Sequence, residues 1–248
     1  MRVVITRPRD QAGDLAEALE ACGFTPIFFP TIRIAPATDP RPLDAALERL
    51  SGCDWAVFTS ANAVEAVWER LDRLGLAFPA KVRVAAVGPK TAARLRESGV
   101  TADFVPDEYV SEAIVPGLGD LAGKRVFLPL GDLAGDAPAR AVAAAGGIPD
   151  AVTAYRTLPA GADPDGLAAL QAGVDAVTFT SGSAAANFSA LIREAGLDPC
   201  RLPGDPLIAC IGPKTAAAAR SVGFQVDLVA EAYMLEGLVS ALKGIPIR

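Results

Sequence analysis

Short apolar runs alternate with amphipathic segments along the whole chain. Residues 55–58 form an apolar run typical of a buried strand, and Val64, Val67 and Leu71 follow at helical spacing. The same order recurs, with further strands predicted at residues 2–6, 27–29, 82–87, 104–105, 126–128, 176–179, 208–211 and 226–229. Because apolar strands that alternate with helices are typical of parallel sheets covered on both faces, the pattern predicts doubly wound α/β domains.

The chain contains two copies of one sequence plan. The segment Gly-Pro-Lys-Thr-Ala-Ala at residues 88–93 recurs letter for letter at residues 212–217, an offset of 124. Upstream, residues 54–60 resemble residues 175–181. This self-similarity indicates a duplicated unit, whose copies cover residues 2–118 and 125–242.

The proline-rich segments predict how the copies are divided into domains. Residues 35–42 and 158–165 are breaker segments at equivalent places in the two copies, whereas the join at 119–124 has no proline. Because these two proline-rich segments occupy equivalent places, they indicate that the chain leaves the first domain near residue 36 and returns to it near residue 160. We expect domain one at 1–35 and 165–248, domain two at 43–157, and interdomain linkers at 36–42 and 158–164.

Composition restricts the chemistry. The 248 residues are 51% hydrophobic and 21% charged, with a formal net charge of −6 and no basic tail, which argues against nucleic-acid binding. There is no histidine, so histidine-based triads and the common zinc sites are excluded. The four cysteines lack C-x-x-C spacing, and no apolar run is long enough for a signal peptide or a membrane span. We therefore expect a cytoplasmic protein without a metal.

Hydroxyl-rich segments follow buried strands at equivalent places in both copies. They are Thr59-Ser60-Ala61-Asn62 and Thr180-Ser181-Gly182-Ser183, and each opens a predicted helix. Such side chains cap helices, and a helix N-terminus also attracts anions. Capping alone explains either segment by itself, but their occurrence in both copies, at strand carboxyl ends, favours a ligand site.

A second pair of helix starts carries glycine, proline, lysine and threonine. These are Gly88 to Thr91 and Gly212 to Thr215, the latter including Lys214. Proline suits the first helical position, and the spacing is neither that of a P-loop nor of a dinucleotide fingerprint. Helix capping and anion binding both stay open for these segments.

Two further side chains are candidates for chemistry. Arg7 ends the first strand and suits a carboxylate, although a solvated loop is the plainer interpretation. Tyr155 ends a strand beside the second linker and is the best proton donor in a chain without histidine, with packing as its alternative. Tyr109 and Tyr233 match each other in the repeat, which favours a structural role for both, and Tyr233 is the better candidate of the two to reach a crevice.

Taken in order, these motifs resemble the uroporphyrinogen-III synthase (HemD) family over essentially the whole chain. The resemblance rests on residues 4–8, 54–64, 87–92, 154–157, 179–181, 211–216 and 236–239. One departure is Leu130-Gly131-Asp132, where the family pattern has a more basic segment around the glycine, and it bears on one substrate-carboxylate contact.

The resemblance implies two flavodoxin-like doubly wound parallel-sheet domains joined by a two-stranded linker. It implies a hydro-lyase without cofactor or metal, which cyclises hydroxymethylbilane to uroporphyrinogen III with inversion of ring D and loss of water. Tyr155 would be catalytic by assisting departure of the substrate hydroxyl. The substrate-binding residues would be Arg7, Thr59, Ser60, Ala61, Asn62, Gly88, Thr91, Ser181, Gly182, Ser183, Gly212, Lys214, Thr215 and Tyr233.

The family also suggests a monomer that makes transient contact with hydroxymethylbilane synthase and has no nucleic-acid or membrane partner. Two other functions fit the predicted fold and linkers. One is a two-domain protein that closes on an anionic small molecule without chemistry, and the other is a sugar-phosphate enzyme using the same helix starts.

Overall fold

The computed structural model describes residues 1–106 and 111–245, and only the backbone of residues 111–113. Tyr109 lies outside the described residues. The chain divides into two compact units. Unit 1 consists of Met1–Arg33 and Leu158–Arg248, and unit 2 consists of Ile34–Thr157.

Strands and helices alternate, as the hydrophobic pattern predicts. The strands are β1 (Arg2–Ile5), β2 (Thr25–Phe28), β3 (Ile32–Pro36), β4 (Trp55–Phe58), β5 (Arg83–Ala86), β6 (Arg125–Gly131), β7 (Ile148–Pro159), β8 (Ala176–Phe179), β9 (Leu207–Cys210) and β10 (Leu228–Val229). The helices are α1 (Gly13–Glu20), α2 (Arg41–Glu48), α3 (Ala61–Leu74), α4 (Pro89–Glu97), α5 (Ser111–Gly117), α6 (Ala137–Ala144), α7 (Pro164–Gln171), α8 (Gly182–Glu194), α9 (Pro213–Ser221) and α10 (Leu235–Lys243).

The sheet of unit 1 is parallel and has the order β10-β9-β8-β1-β2. Read from β2 with the strands renumbered within the unit, this is the order 2-1-3-4-5 of flavodoxin-like folds. One face packs on Phe29, Phe179 and Phe188, and the other packs on Leu15 and Leu238. The predicted doubly wound architecture is confirmed for this unit.

The sheet of unit 2 has the order β3-β7-β6-β4-β5, and its pairs β7-β6, β6-β4 and β4-β5 are parallel. Helices α2, α3 and α4 supply Leu43, Val67 and Leu95 to one face, while α5 and α6 supply Ile114 and Val142 to the other. The strand predicted at 104–105 is reduced to a single bridge between Ala85 and Phe104.

Strands from both sequence copies enter each sheet. In unit 1, β1 and β2 belong to the first copy, and β8, β9 and β10 belong to the second. In unit 2, β4 and β5 belong to the first copy, and β6 and β7 belong to the second. The chain passes from one unit to the other within β3, after Arg33, and within β7, after Thr157. These two strands are neighbours in the sheet of unit 2.

The breaker segments contain more regular structure than their prolines suggest. Pro42 lies in the first turn of α2 and Pro164 opens α7. Proline is compatible with a first helical turn because the N–H groups there have no partner within the helix. A proline cluster therefore marks a helix start here as well as a loop.

Candidate functional site

Each sheet has one point where the strand order reverses, and in open α/β sheets ligands bind beyond the strand ends at such points. In unit 1 this point lies between β1 and β8. A cavity of about 220 Å³ opens there, and its lining includes Thr6, Arg7, Gln11, Thr31, Ser181 and Ser183. We call it the unit 1 crevice.

Buried threonines hold the floor of the unit 1 crevice. The Thr6 hydroxyl donates to the carbonyl of Thr178 at 2.8 Å, and the Thr178 hydroxyl donates to the carbonyl of Val4 at 2.7 Å. The Thr31 hydroxyl donates to the carbonyl of Thr6 at 3.0 Å. These bonds tie the ends of β1, β2 and β8 together, so the crevice has a rigid base. Sequence reasoning did not select Thr31, because its partner lies on another strand.

Arg7 brings positive charge to the unit 1 crevice. Its Nε atom is buried and has no hydrogen-bond partner within the described part of the chain. Burial lowers the pKa of Arg7 from its ordinary value, while the carboxylates of Asp14 and Asp10 act in the opposite direction. A buried donor without a partner costs about 1–3 kcal/mol, so an acceptor on a bound molecule would recover part of that cost.

Helix α8 begins at the same crevice. Ser181 caps it, because its Oγ accepts a hydrogen bond from the N–H of Ala184 at 3.2 Å and lies 3.1 Å from Oγ of Ser183. A β-carbon at Gly182 would lie 2.8 Å from the β-carbon of Ala218, so α8 and α9 pack closely at this end. The capping prediction for this segment is therefore correct, and Thr180, Ser181 and Ser183 are also among the residues that line the cavity.

The start of α9 lies outside the lining of the unit 1 crevice. Thr215 is buried and Lys214 is exposed. The ring of Tyr233 lies over Gly212, where a β-carbon would be 3.3 Å from Cδ1 of the tyrosine. Tyr233 nevertheless keeps 68% of its surface exposed. The structure thus brings Tyr233 to the α9 start. Neither Tyr233 nor the residues of the α9 start are among those that line the cavity.

The corresponding point in unit 2 lies between β6 and β4, and we use the name unit 2 crevice for the residues around this strand reversal. Ser60 caps α3 there, and its Oγ accepts a hydrogen bond from the N–H of Ala63 at 3.2 Å. The same Oγ lies 3.1 Å from the hydroxyl of Tyr155, and either oxygen can be the donor. Two candidates that are 95 residues apart in sequence are thus in direct contact.

Gly131 borders this pair and was not among the predicted site residues. It ends β6 opposite Tyr155, after a shift in the strand register at Leu130. The N–H of Asp132 donates to the carbonyl of Tyr155 at 3.1 Å, and its carboxylate accepts from the N–H of Thr157 at 2.9 Å. The acidic residue by which this segment departs from the family pattern, Asp132, is therefore hydrogen-bonded to the backbone of β7 at two points.

The other predicted residues of unit 2 surround two helix starts. Ala61 and Asn62 are the first two residues of α3, and Thr59 precedes its cap. Gly88 caps α4, and Thr91 is buried in the first turn of that helix. Such helix starts present N–H groups that have no partner within the helix, which suits an anion.

In the described part of the chain, neither a metal-binding cluster nor a membrane-spanning helix is present. No group of three or more cysteine, aspartate or glutamate side chains there is arranged to hold a metal ion. Nor is any helix in that part of the chain long and apolar enough to cross a membrane.

These features define a class, namely two-unit α/β proteins in which polar side chains gather at the strand reversal of each unit. A family model described as Uroporphyrinogen-III synthase HemD matches residues 13–240. The uroporphyrinogen-III synthase of Synechococcus elongatus is 33% identical over 97% of this chain and 94% of its own length. A putative uroporphyrinogen-III synthase of Methanocaldococcus jannaschii is 27% identical over the full length of both chains. The chain belongs to the uroporphyrinogen-III synthase family.

Solved structures show the same fold. A mutant uroporphyrinogen III synthase from the extremely thermophilic bacterium Thermus thermophilus matches with a TM-score of 0.60 and 24% identity, over 98% of this chain and 97% of that one. The uroporphyrinogen-III synthetase of Helicobacter pylori also gives a TM-score of 0.60, at 16% identity and over 96% of both chains. The predicted two-domain α/β fold is therefore confirmed by structural similarity as well as by topology.

Proposed function

We propose that this protein is a uroporphyrinogen-III synthase, which cyclises hydroxymethylbilane to uroporphyrinogen III with inversion of ring D and loss of water. Family membership supports the reaction class. The observation that carries the proposal is the hydroxyl of Tyr155, 3.1 Å from Ser60 beyond the strand ends of unit 2. In a chain without histidine this is a fixed phenol at the place where α/β sheets bind ligands.

Tyr155 is the proposed general acid. Its proton goes to the departing hydroxyl of ring A as the C–O bond breaks, and the electron pair of the ring A nitrogen forms the protonated azafulvene. Ring D attacks through its substituted carbon, and the resulting spiro intermediate fragments and recloses with ring D inverted. The proton released on reclosure restores the phenol, so the net change is loss of one water.

We propose that particular cationic side chains and helix N-termini bind the acetate and propionate arms of the substrate. With a net charge of −6 the protein as a whole repels a polyanion, so attraction must come from particular groups. Arg7, with its unpartnered Nε, and the α8 start with Ser181, Gly182 and Ser183 are the proposed carboxylate contacts in unit 1.

Further proposed contacts lie at three other helix starts. The α3 start presents backbone N–H groups and hydroxyls, and the α4 and α9 starts add a buried threonine each. The proposed residues are Thr59, Ser60, Ala61, Asn62, Gly88, Thr91, Gly212, Lys214, Thr215 and Tyr233.

The proposal includes the setting of the enzyme. We propose a cytoplasmic monomer without cofactor or metal, in transient contact with hydroxymethylbilane synthase, which would supply the substrate. We also propose the domain division predicted from sequence, with linkers at 36–42 and 158–164. The passage of the chain between units within the neighbouring strands β3 and β7 supports two linker strands.

The test is the isomer of the product. Hydroxymethylbilane cyclises spontaneously to the uninverted type I isomer, so freshly made substrate is incubated with the purified protein, with heat-inactivated protein and with buffer. After oxidation the isomers are separated by chromatography. We expect type III product only with the native protein. Type I product alone, at the rate seen in buffer, would overturn the proposal and leave the binding-protein and sugar-phosphate alternatives.

A further inference from the structure

The polar end of Tyr155 occupies the space where a side chain at position 131 would stand. A β-carbon on Gly131 would lie 2.7 Å from Cζ, 2.8 Å from the hydroxyl oxygen and 3.0 Å from Cε2 of Tyr155. Real side chains do not approach so closely, and the opposing atoms belong to a ring. Gly131 is not among the glycines with positive φ, so the reason for glycine here is space and not backbone conformation.

The phenol is held on its other side by Ser60. The serine Oγ accepts the N–H of Ala63 at 3.2 Å and contacts the Tyr155 hydroxyl at 3.1 Å. Because a hydroxyl has one proton and two lone pairs, Ser60 can satisfy the helix and the phenol together. The hydroxyl of Tyr155 thus lies close to both Gly131 and the cap of α3.

The backbone around Gly131 is arranged for this contact. The pairing of Leu130 with Thr153 changes to the pairing of Gly131 with Tyr155, so one residue of β7 is left without a partner. A bulge of this kind redirects the side chain that follows it, and bulges occur often beside active sites. Beyond the bulge, the N–H of Asp132 and the carbonyl of Tyr155 join the strands again at 3.1 Å.

We propose that Gly131 is a positioning residue for the reaction, and that its absent side chain sets where the hydroxyl of Tyr155 lies. The inference rests on the proposed function and adds a second requirement to it. A misplacement of about 1 Å can cost about 100-fold in rate, because a proton donor acts only in the right geometry. Any side chain at 131 must push the phenol away from Ser60 or move the strand that carries it.

The activity test is a double-mutant cycle with Gly131→Ala, Tyr155→Phe and the double variant. We expect Gly131→Ala to lower kcat by about 10-fold or more with KM changed less than about twofold, and to raise the share of type I product. In the Tyr155→Phe background the same change should have almost no further effect on kcat, because no hydroxyl remains to be placed. A kcat unchanged by Gly131→Ala, or an equal loss in both backgrounds, would overturn the proposal.

Gly147→Ala is the matched control. Gly147 immediately precedes β7, and a β-carbon there would lie 2.8 Å from Cγ1 of Val142, away from the phenol. It introduces similar crowding into the same unit. We expect it to lower the melting temperature without changing kcat, and a loss of kcat equal to that of Gly131→Ala would mean that crowding alone explains the result.

A stability cycle keeps the inference testable if Gly131→Ala folds poorly. Tyr155→Leu lacks the atoms that the new β-carbon would meet, so it should remove most of the fall in melting temperature caused by Gly131→Ala. Gly131→Ala is measured in the wild-type and in the Tyr155→Leu background. If it lowers the melting temperature equally in both, or prevents folding in both, Tyr155 is not the reason for glycine at position 131. This measurement does not depend on catalysis, so it separates failure of this inference from failure of the proposed function.

Discussion

The two crevices share a scaffold and differ in chemistry. Each lies at a strand-order reversal, and each has a serine that caps the following helix, Ser60 in unit 2 and Ser181 in unit 1. Counted at the repeat offset of 123, however, Arg7 corresponds to Leu130, and Tyr155 corresponds to Ile32. The unit 1 crevice thus has a cation and no phenol, and the unit 2 crevice has a phenol where unit 1 has an aliphatic side chain. The helix starts are thus alike in the two copies, while the neighbouring strand ends differ, and we propose binding for the one and proton transfer for the other.

The largest effect is expected from the phenol of the unit 2 crevice. Tyr155→Phe should lower kcat by about 100-fold or more, the usual contribution of a positioned general acid, while the fold and KM change little. Steady-state kinetics and the product isomer ratio measure this. Tyr233→Phe is the comparison variant: its largely exposed ring is a proposed substrate contact and not a proton donor, so this change should affect KM more than kcat. Equal losses in the two variants would contradict the assignment of proton transfer to one crevice.

The cation of the unit 1 crevice should affect binding. Arg7→Ala would remove the proposed charge-assisted hydrogen bond to a substrate carboxylate, so we expect KM to rise about 10-fold with a smaller change in kcat. Arg201→Ala makes the same change in charge at an exposed position of the same unit and serves as the control. If Arg7→Ala lowers kcat alone, the division of the two crevices into binding and proton transfer is wrong.

The serine caps allow a direct comparison between the crevices. Ser60→Ala and Ser181→Ala each remove one N-cap, so each should lower the free energy of unfolding by about 1 kcal/mol in denaturant titrations. Only Ser60 also contacts Tyr155, and Ser60→Ala should therefore reduce kcat several-fold more than Ser181→Ala. Equal activities at equal stability would show that the contact with Ser60 does not position the phenol.

The smallest predicted effect concerns acid stability. Burial raises the pKa of Asp163, but the hydrogen bonds from Arg9 and from the N–H of Gly166 lower it more, so its net pKa lies below the ordinary 3.8. Since the carboxyl is depressed in the folded state, its stabilisation is present above about pH 4 and is lost as the pH falls through the lowered value.

Asp163→Asn tests this in unit 1. It should cost roughly 0.5–1 kcal/mol at neutral pH and nothing in strong acid, measured by thermal unfolding against pH. The repeat-matched residue in unit 2 is Pro40. It stands at the N-cap position of α2 and makes no side-chain hydrogen bond to the helix. Pro40→Ala is the control and should leave the pH dependence unchanged. A cost for Asp163→Asn that persists in strong acid would contradict the role of its ionised carboxylate.

Much of the local structure could be predicted from the residues. Residues 55–58 and 176–179 form the strands that the apolar runs indicate, and Ser60 and Ser181 cap the helices that follow. The prolines did not by themselves indicate where the next helix begins, since Pro42 lies in the first turn of α2. The short apolar run at 104–105 failed as a strand, because it pairs at a single bridge.

Within the site, sequence reasoning selected residues but not their contacts. Ser60 and Tyr155 were both candidates, yet their contact spans 95 residues. Gly131 was visible only as part of a segment that departs from the family pattern, and its role depends on the ring that faces it. Its signal would have been a glycine at the end of a strand, the position at which a backbone often approaches another group closely.

The sequence by itself determined the repeated order of strands and helices, the caps at the helix starts and the absence of a histidine mechanism. These features depend on residue type and on neighbours within a few positions along the chain. Tertiary structure alone decided which copy supplies which strand to each sheet, that Arg7 buries a donor without a partner in the described part of the chain, and that the Tyr155 phenol fills the space beside Gly131. These features depend on packing between distant segments, where burial and close approach are properties of the assembled fold and not of any one segment.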